Sequence, residues 1–185
     1  MAYLDTLHDL ATDTEDKVWT VVQSWQNHEI DRAEASALIA AIIAVANRRA
    51  TALGDLSVAA TITVGTRSPV PAVGVSAPDD VARLNRAAGT LLDALEDTPD
   101  PEARARRLGR SEPLQKASDA RSEAISRSPQ VEGWTRNLNG DTCQLCTWWH
   151  RDGRVWPKTH TMPRHKGCDC TQSPILVDRV KPVSR

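Results

Sequence analysis

Apolar side chains recur at three- and four-residue steps through the start of the chain: Leu4, Leu7, Ala11, Val18, Val21, Val22 and Trp25. That spacing lines one face of a helix and predicts one from about Tyr3 to Gln26. The segment "NHEI" then turns the chain. Asp31, followed three residues later by Glu34, makes an approximate capping box with Asp in place of Ser or Thr. The helix it opens is expected to run to about Leu53, with Gly54 as its stop. Leu38, Ile39, Ile42, Ile43, Val45 and Ala46 wrap most of its circumference, which places it at the centre of a bundle. Two long helices joined by a short turn form an antiparallel hairpin.

From Val64 to Pro78 three prolines and two glycines break the helical rhythm, so this stretch reads as a linker. Asp79 is placed to cap a third helix carrying Val81, Leu84, Ala88, Leu91, Leu92 and Leu95. Pro101 suits the first turn of a fourth. That fourth helix reaches about Ser128, with a break expected before Pro113. Its apolar stripe is thin. After Pro129 the texture changes: Asn139-Gly140 is a turn signal, and "GRVW" and "TQSPILV" read as short strands. The expected organisation is a helical hairpin over 1–63, a linker over 64–78, further helices over 79–128 and a small Cys/His unit over 129–185. The fold class is mainly α: an N-terminal antiparallel helical hairpin or bundle, then a small zinc-stapled α+β unit.

Charge sharpens that division. From Trp134 onward nine Lys and Arg face four Asp, whereas the first 133 residues carry 14 basic and 20 acidic side chains. An acidic part joined to a basic part suggests two units with different neighbours, the basic one facing nucleic acid or an acidic protein surface. The N-terminus shows no basic or apolar leader pattern. The apolar run from Ala35 to Ala46 is too short to span a bilayer, so no membrane partner is expected. The chain is expected to fold in a reducing cytosol, where stable disulfides are rare.

The candidate chemistry lies between Cys143 and Cys170, a stretch that holds all four cysteines and three of the five histidines. Cys143-x2-Cys146 can bring two sulfurs to one side of a tight loop, and His165-x2-Cys168 offers an imidazole and a thiolate at similar spacing. Cys170 is the fifth candidate ligand. Two disulfides or a set of reduced thiols are the competing readings. Zinc is the default ion for mixed sulfur and nitrogen ligands, and it would supply the staple that so small a unit lacks. Cys143, Cys146 and two or more of His165, Cys168 and Cys170 are the favoured ligands, with His150 and His160 as outside candidates. Trp148, Trp149 and Trp156 are expected to form the little core around the site. A donor set in excess and rich in thiolate favours a closed structural site over a catalytic one. H-E-x-x-H, G-x-S-x-G, the deaminase pattern and a glycine-rich phosphate loop are all missing, so no enzyme activity is expected.

These residues together resemble a known pattern. Gly133, Trp134, Arg136, Cys143, Cys146, Gly153, Val155, Trp156, His165, Cys168, Cys170 and Pro174 match the C-terminal domain of phage Mu F-like minor head proteins, in the short form found in tailed phages of actinobacteria. The likeness covers about 45 residues; longer family members add a maturation protease or toxin domain for which this chain has no room. The resemblance implies a minor capsid or head-morphogenesis protein in the virion, assembled in the bacterial host cytoplasm. Its implied partners are the portal or major capsid protein, with packaged double-stranded DNA nearby. The alternative is a zinc-containing HNH-type nuclease or a DNA-binding module. The C-x-C ending departs from the nuclease pattern, which has C-x2-C on both sides.

Overall fold

The computed structural model describes residues 3–139 and 143–177. The chain forms helices α1 (Tyr3–Gln26), α2 (Arg32–Thr66), α3 (Val81–Leu95) and α4 (Pro101–Arg127). Strand β1 (Val131–Asn137), helix α5 (Gln144–His150), the two-residue strand β2 (Trp156–Pro157) and strand β3 (Thr171–Leu176) follow. The fold is mainly α with a small antiparallel sheet at the C-terminal end, ordered β2-β1-β3.

Two compact units divide these elements, and the division falls inside helices. One unit holds residues 1–50 and 77–116; the other holds 51–76 and 117–185. The segment after Pro129 therefore shares its unit with the C-terminal parts of α2 and α4.

In the first unit, Val18 and Val22 of α1 pack with Ile39 and Ile43 of α2 and with Leu84, Leu91, Leu92 and Leu95 of α3. Leu10 and Thr14 of α1 line a groove with Val45 and Arg49 of α2, so residue numbers rise along one helix as they fall along the other. That is the antiparallel hairpin. The Glu34 N–H bonds the Asp31 carboxylate at 2.8 Å, as the capping box requires. The third helix starts one residue later than the Asp79 cap implies, with Asp80 at its N-cap. Asp80 turns outward from capping to an ion network. Arg83 grips Glu112 with both guanidinium nitrogens (2.9 and 2.7 Å) and reaches Asp80 at 2.6 Å, while Lys116 lies 3.2 Å from Asp80. Burial pushes both carboxyls up. Hydrogen bonds and charge from Arg83 outweigh it, joined by Lys116 at Asp80 and by Asn47 at Glu112, and hold both below their ordinary values.

Two further sequence expectations about helix limits are corrected. Helix α2 does not stop at Gly54 but continues to Thr66. A Cβ at position 54 would lie 2.4 Å from the Ala117 carbonyl oxygen, so this glycine serves the close crossing of α2 and α4 rather than a cap. Nor does α4 break before Pro113; the proline sits inside it. Losing that N–H costs about 3 kcal/mol, and burial of Pro113 itself, Leu114 and Ala117 offsets it. The stripe of α4 looked thin because it is built from Ala105, Ala117, Ala120 and Ala124, which bury little area each but allow helices to approach. The longer α2 contains an 18-residue window of mean hydropathy 1.4, enough by length and composition to cross a membrane, yet half of it is buried within the protein.

In the second unit Val58 and Ile62 of α2, Ala124 and Ile125 of α4, and Val131 and Trp134 of β1 form the core with Met162. The segment after α2 is fixed by a carboxylate. Asp55, 4% exposed, accepts the backbone N–H groups of Val73, Gly74 and Val75 at 3.1, 2.8 and 2.9 Å. The stretch read as a linker is thus bound to α2 rather than free of it.

Asp55→Ala strands three amide donors at once, and a loss of about 3 kcal/mol is expected in chemical denaturation; Asp55→Asn keeps an acceptor and should lose less. For the ion network, carboxyls depressed in the folded state contribute stability above their ordinary values of 4.5 (Glu112) and 3.8 (Asp80). That stability is lost as pH falls through the folded values. Unfolding midpoints should therefore be level from neutral pH down to about 5 and then drop, with Glu112→Gln showing a smaller acid-side decline from a lower starting point.

Candidate metal centre

Strand β1 sorts its side chains by alternation: Trp134 and Arg136 are fully buried and Asn137 is exposed. Trp134 enters the apolar core and Arg136 faces the cysteines. Both also hold the chain that leads to the site. The Trp134 indole N–H donates to the His160 carbonyl at 2.9 Å, and an Arg136 Nη2–H donates to the Pro163 carbonyl. The segment bearing His165 is thereby tied to β1 at two points. A Cβ on Gly133 would sit 2.5 Å from the Trp156 carbonyl oxygen, so β2 can approach β1 only at a glycine.

Cys143 and Cys146 do not sit on a tight loop, as the sequence suggested. Cys143 is the N-cap position of α5 and Cys146 lies one turn in, which brings both sulfurs to one side by helical geometry. The second half is a turn: Gly167 has φ of +76°, and the Cys168 N–H bonds the His165 carbonyl at 3.1 Å. His165 Nδ1 is 3.0 Å from the Lys166 carbonyl. A carbonyl only accepts, so Nδ1 carries the proton of the neutral ring, and Nε2 turns its lone pair toward the sulfurs.

The five residues singled out in the sequence come together as two triads sharing one sulfur. Cys143, Cys146 and His165 form one; Cys146, Cys168 and Cys170 form the other. Within each, the donor atoms all lie within 4.8 Å of one another. His165 Nε2 is 3.1 Å from Cys143 Sγ and 3.4 Å from Cys146 Sγ, and Cys146 Sγ is 3.5 Å from Cys168 Sγ. Cys146, Cys168 and Cys170 are buried and Cys143 is exposed. All four are free thiols, and the 3.5 Å separation is well beyond the ~2.05 Å of a disulfide bond. Such a cluster could hold a metal ion.

The thiols are unequal. A hydrogen bond from the Cys146 N–H lowers Cys143, and a hydrogen bond from the Cys170 thiol, helped by the Arg164 charge, lowers Cys168 to about 4. Burial raises Cys146 to about 12, and Cys170 is raised by its bond to Cys168 and by burial. Two thiols of the cluster are thus lowered and two raised. His165 is raised, chiefly by the bond to the Lys166 carbonyl. A divalent cation would replace the retained protons, which is the ordinary coupling of metal binding to deprotonation.

His150 and His160 lie outside both triads. His160 stacks on Trp156 with centroids 4.4 Å apart and 9° between planes, and also lies against Trp134. Of the three tryptophans expected around the site, Trp149 alone packs there, with Leu138 against the buried cysteines. Trp156 belongs to the neighbouring apolar core and Trp148 is 61% exposed. Leu145 and Trp148 sit at i, i+3 on the face of α5 away from Cys146, and only the strand and helix assignments together would have revealed this. Arg136 entered the sequence reading as part of a family pattern and not as a member of the site. Its one legible signal was a lone arginine at a buried parity of β1, two residues after Trp134.

No family model, curated protein or solved structure matches the chain.

Proposed function

We propose that the chain is a minor capsid or head-morphogenesis protein of a tailed bacteriophage, whose C-terminal unit is held together by one structural zinc ion. The observation that carries the zinc reading is the pair of triads that share Cys146, each with its three donor atoms within 4.8 Å of one another. Mixed sulfur and nitrogen donors select zinc. More donors than zinc has places leave no open position for a reacting water, which supports a structural role over a catalytic one. No Asp or Glu of the described residues belongs to either triad.

The phage reading rests on the resemblance of residues 133–174, and the molecule's build accords with it. Helices with apolar side chains left outside, such as Leu38, Val45, Leu56 and Val64 of α2, suit a protein that docks to the portal or the capsid shell. Arg151, Arg154, Lys158, Arg164 and Lys166 crowd the metal-bearing segment and suit proximity to packaged double-stranded DNA.

Native mass spectrometry of the reduced protein should show one zinc per chain, removed by a chelator. Binding of this kind contributes on the order of 10 kcal/mol to folding. Cys146→Ser or Cys168→Ser should therefore abolish stoichiometric zinc and loosen the second unit. Amide protection should fall over Val131–Asn137 and persist around Ile39–Ile43. A metal-free parent chain that keeps its protection pattern would overturn the zinc reading.

The phage assignment has its own test. In particles of the phage that encodes the chain, it should co-sediment with heads at far fewer copies than the major capsid protein. Its absence from both proheads and mature particles would reject the assignment. Sustained Mg²⁺- or Mn²⁺-dependent cleavage of plasmid DNA, lost in a folded His165→Ala variant, would favour the nuclease instead.

A further inference from the structure

Arg136 presents an electrostatic problem that the ligands alone do not solve. Its side chain is 2% exposed, and a guanidinium stays charged at any pH a protein survives. A buried charge of this kind requires a counter-charge, since leaving it unpaired costs several kcal/mol. The acidic side chains of the described residues do not supply one. The partners of Arg136 are the Pro163 carbonyl, the face of Trp149 at 5.3 Å, and Cys146 Sγ, 3.8 Å from Nη1. The carbonyl and the ring face are dipoles and quadrupoles; they orient a cation without neutralising it. Nε of Arg136 has no partner at all. The sulfur is the only contact that can carry a full negative charge.

We infer that Arg136 is a built-in counter-charge of the metal centre, set against the thiolate of Cys146. This rests on the reading of the cluster as a metal site. A divalent ion held by two thiolates and neutral imidazoles carries no net charge and would leave the guanidinium uncompensated. With three or more thiolates the centre is negative, and the guanidinium beside Cys146 offsets that charge.

Cys146 is the sulfur common to both triads, so a charge set against it acts on the centre whichever of the other donors complete it. Arg136 is then a positioning residue. It holds the Pro163 carbonyl, two residues before His165, and charge-stabilises the thiolate of Cys146. Partners of this kind behind a metal ligand set affinity by about 10- to 100-fold.

The test uses the full chain with zinc(II) and cobalt(II) as the only added ions. Affinity is read by competition with a chromophoric chelator in the parent, Arg136→Met and Arg136→Lys. Arg136→Met should bind zinc about 10- to 100-fold more weakly, and Arg136→Lys, which keeps the charge, should recover most of that loss. Equal affinity in the parent and Arg136→Met overturns the inference while leaving the metal reading intact. So does Arg136→Lys falling as far as Arg136→Met, since shape and not charge would then be at stake. A parent that binds neither ion removes the metal reading and this inference with it.

Should Arg136→Met fail to fold, the cobalt spectrum of the parent decides. Its thiolate-to-cobalt charge-transfer intensity scales with the number of bound sulfurs. Intensity for three or four supports a negative centre that the guanidinium offsets, and intensity for two, a neutral centre, overturns the inference.

Discussion

Crowding three buried sulfurs against a buried guanidinium is a cost before it is a source of stability. Each thiol taken from water loses solvation, and thiolates cannot accumulate side by side without something positive among them. The crowding shows as a split: Cys168 is pulled far down, while Cys146 and Cys170 are pushed up. A divalent ion, which such a cluster could hold, would resolve that split by accepting lone pairs that otherwise face one another. The second unit brings these groups together from separate parts of the chain. Strand β1 supplies Arg136, α5 supplies Cys146, and the turn at Gly167 delivers His165 and Cys168 together.

The apolar part of the same unit is modest but not separate. Trp134 and Met162 pack on Val58, Ile62, Ala124 and Ile125, all from the two long helices. Arg121, buried on α4, reaches Ser57 of α2 and the Gln172 carbonyl of β3, and Ser122 bonds the Gln172 side chain at 2.9 Å. Helices and sheet therefore share one polar seam as well as one core. A unit assembled this way loses more than its metal loops when the ion leaves, because the strand that carries Arg136 also carries Trp134.

Periodicity made the helical part of the fold legible. The limits of α1, the Asp31 cap and the Pro101 start are local events, governed by residues within one turn of each other. Errors arose where the deciding contact was distant in sequence. Gly54 reads as a stop until Ala117 is seen beside it, and Pro113 reads as a break until its own burial is known. Asp55 carries no local signal of its role, because it holds amides 18 to 20 residues away. At the site, the members of the cluster were legible because metal-ligand chemistry restricts residue type. The helix beneath Cys143 and Cys146 was not, since seven residues carry too short a period to read. Arg136 was missed because a lone arginine has no spacing at all.

The surplus of donors bears on what the centre can do. A catalytic ion keeps one position for water or substrate and needs a base beside it. Cys170 stands in the same triad as Cys146 and Cys168, so the two triads together offer more donors than a tetrahedral ion has places. His160 is stacked flat on Trp156 and gives its backbone carbonyl to Trp134. A surplus of donors around one shared sulfur, with an arginine buried against it, is an arrangement that an ion could tie together from strand, helix and turn.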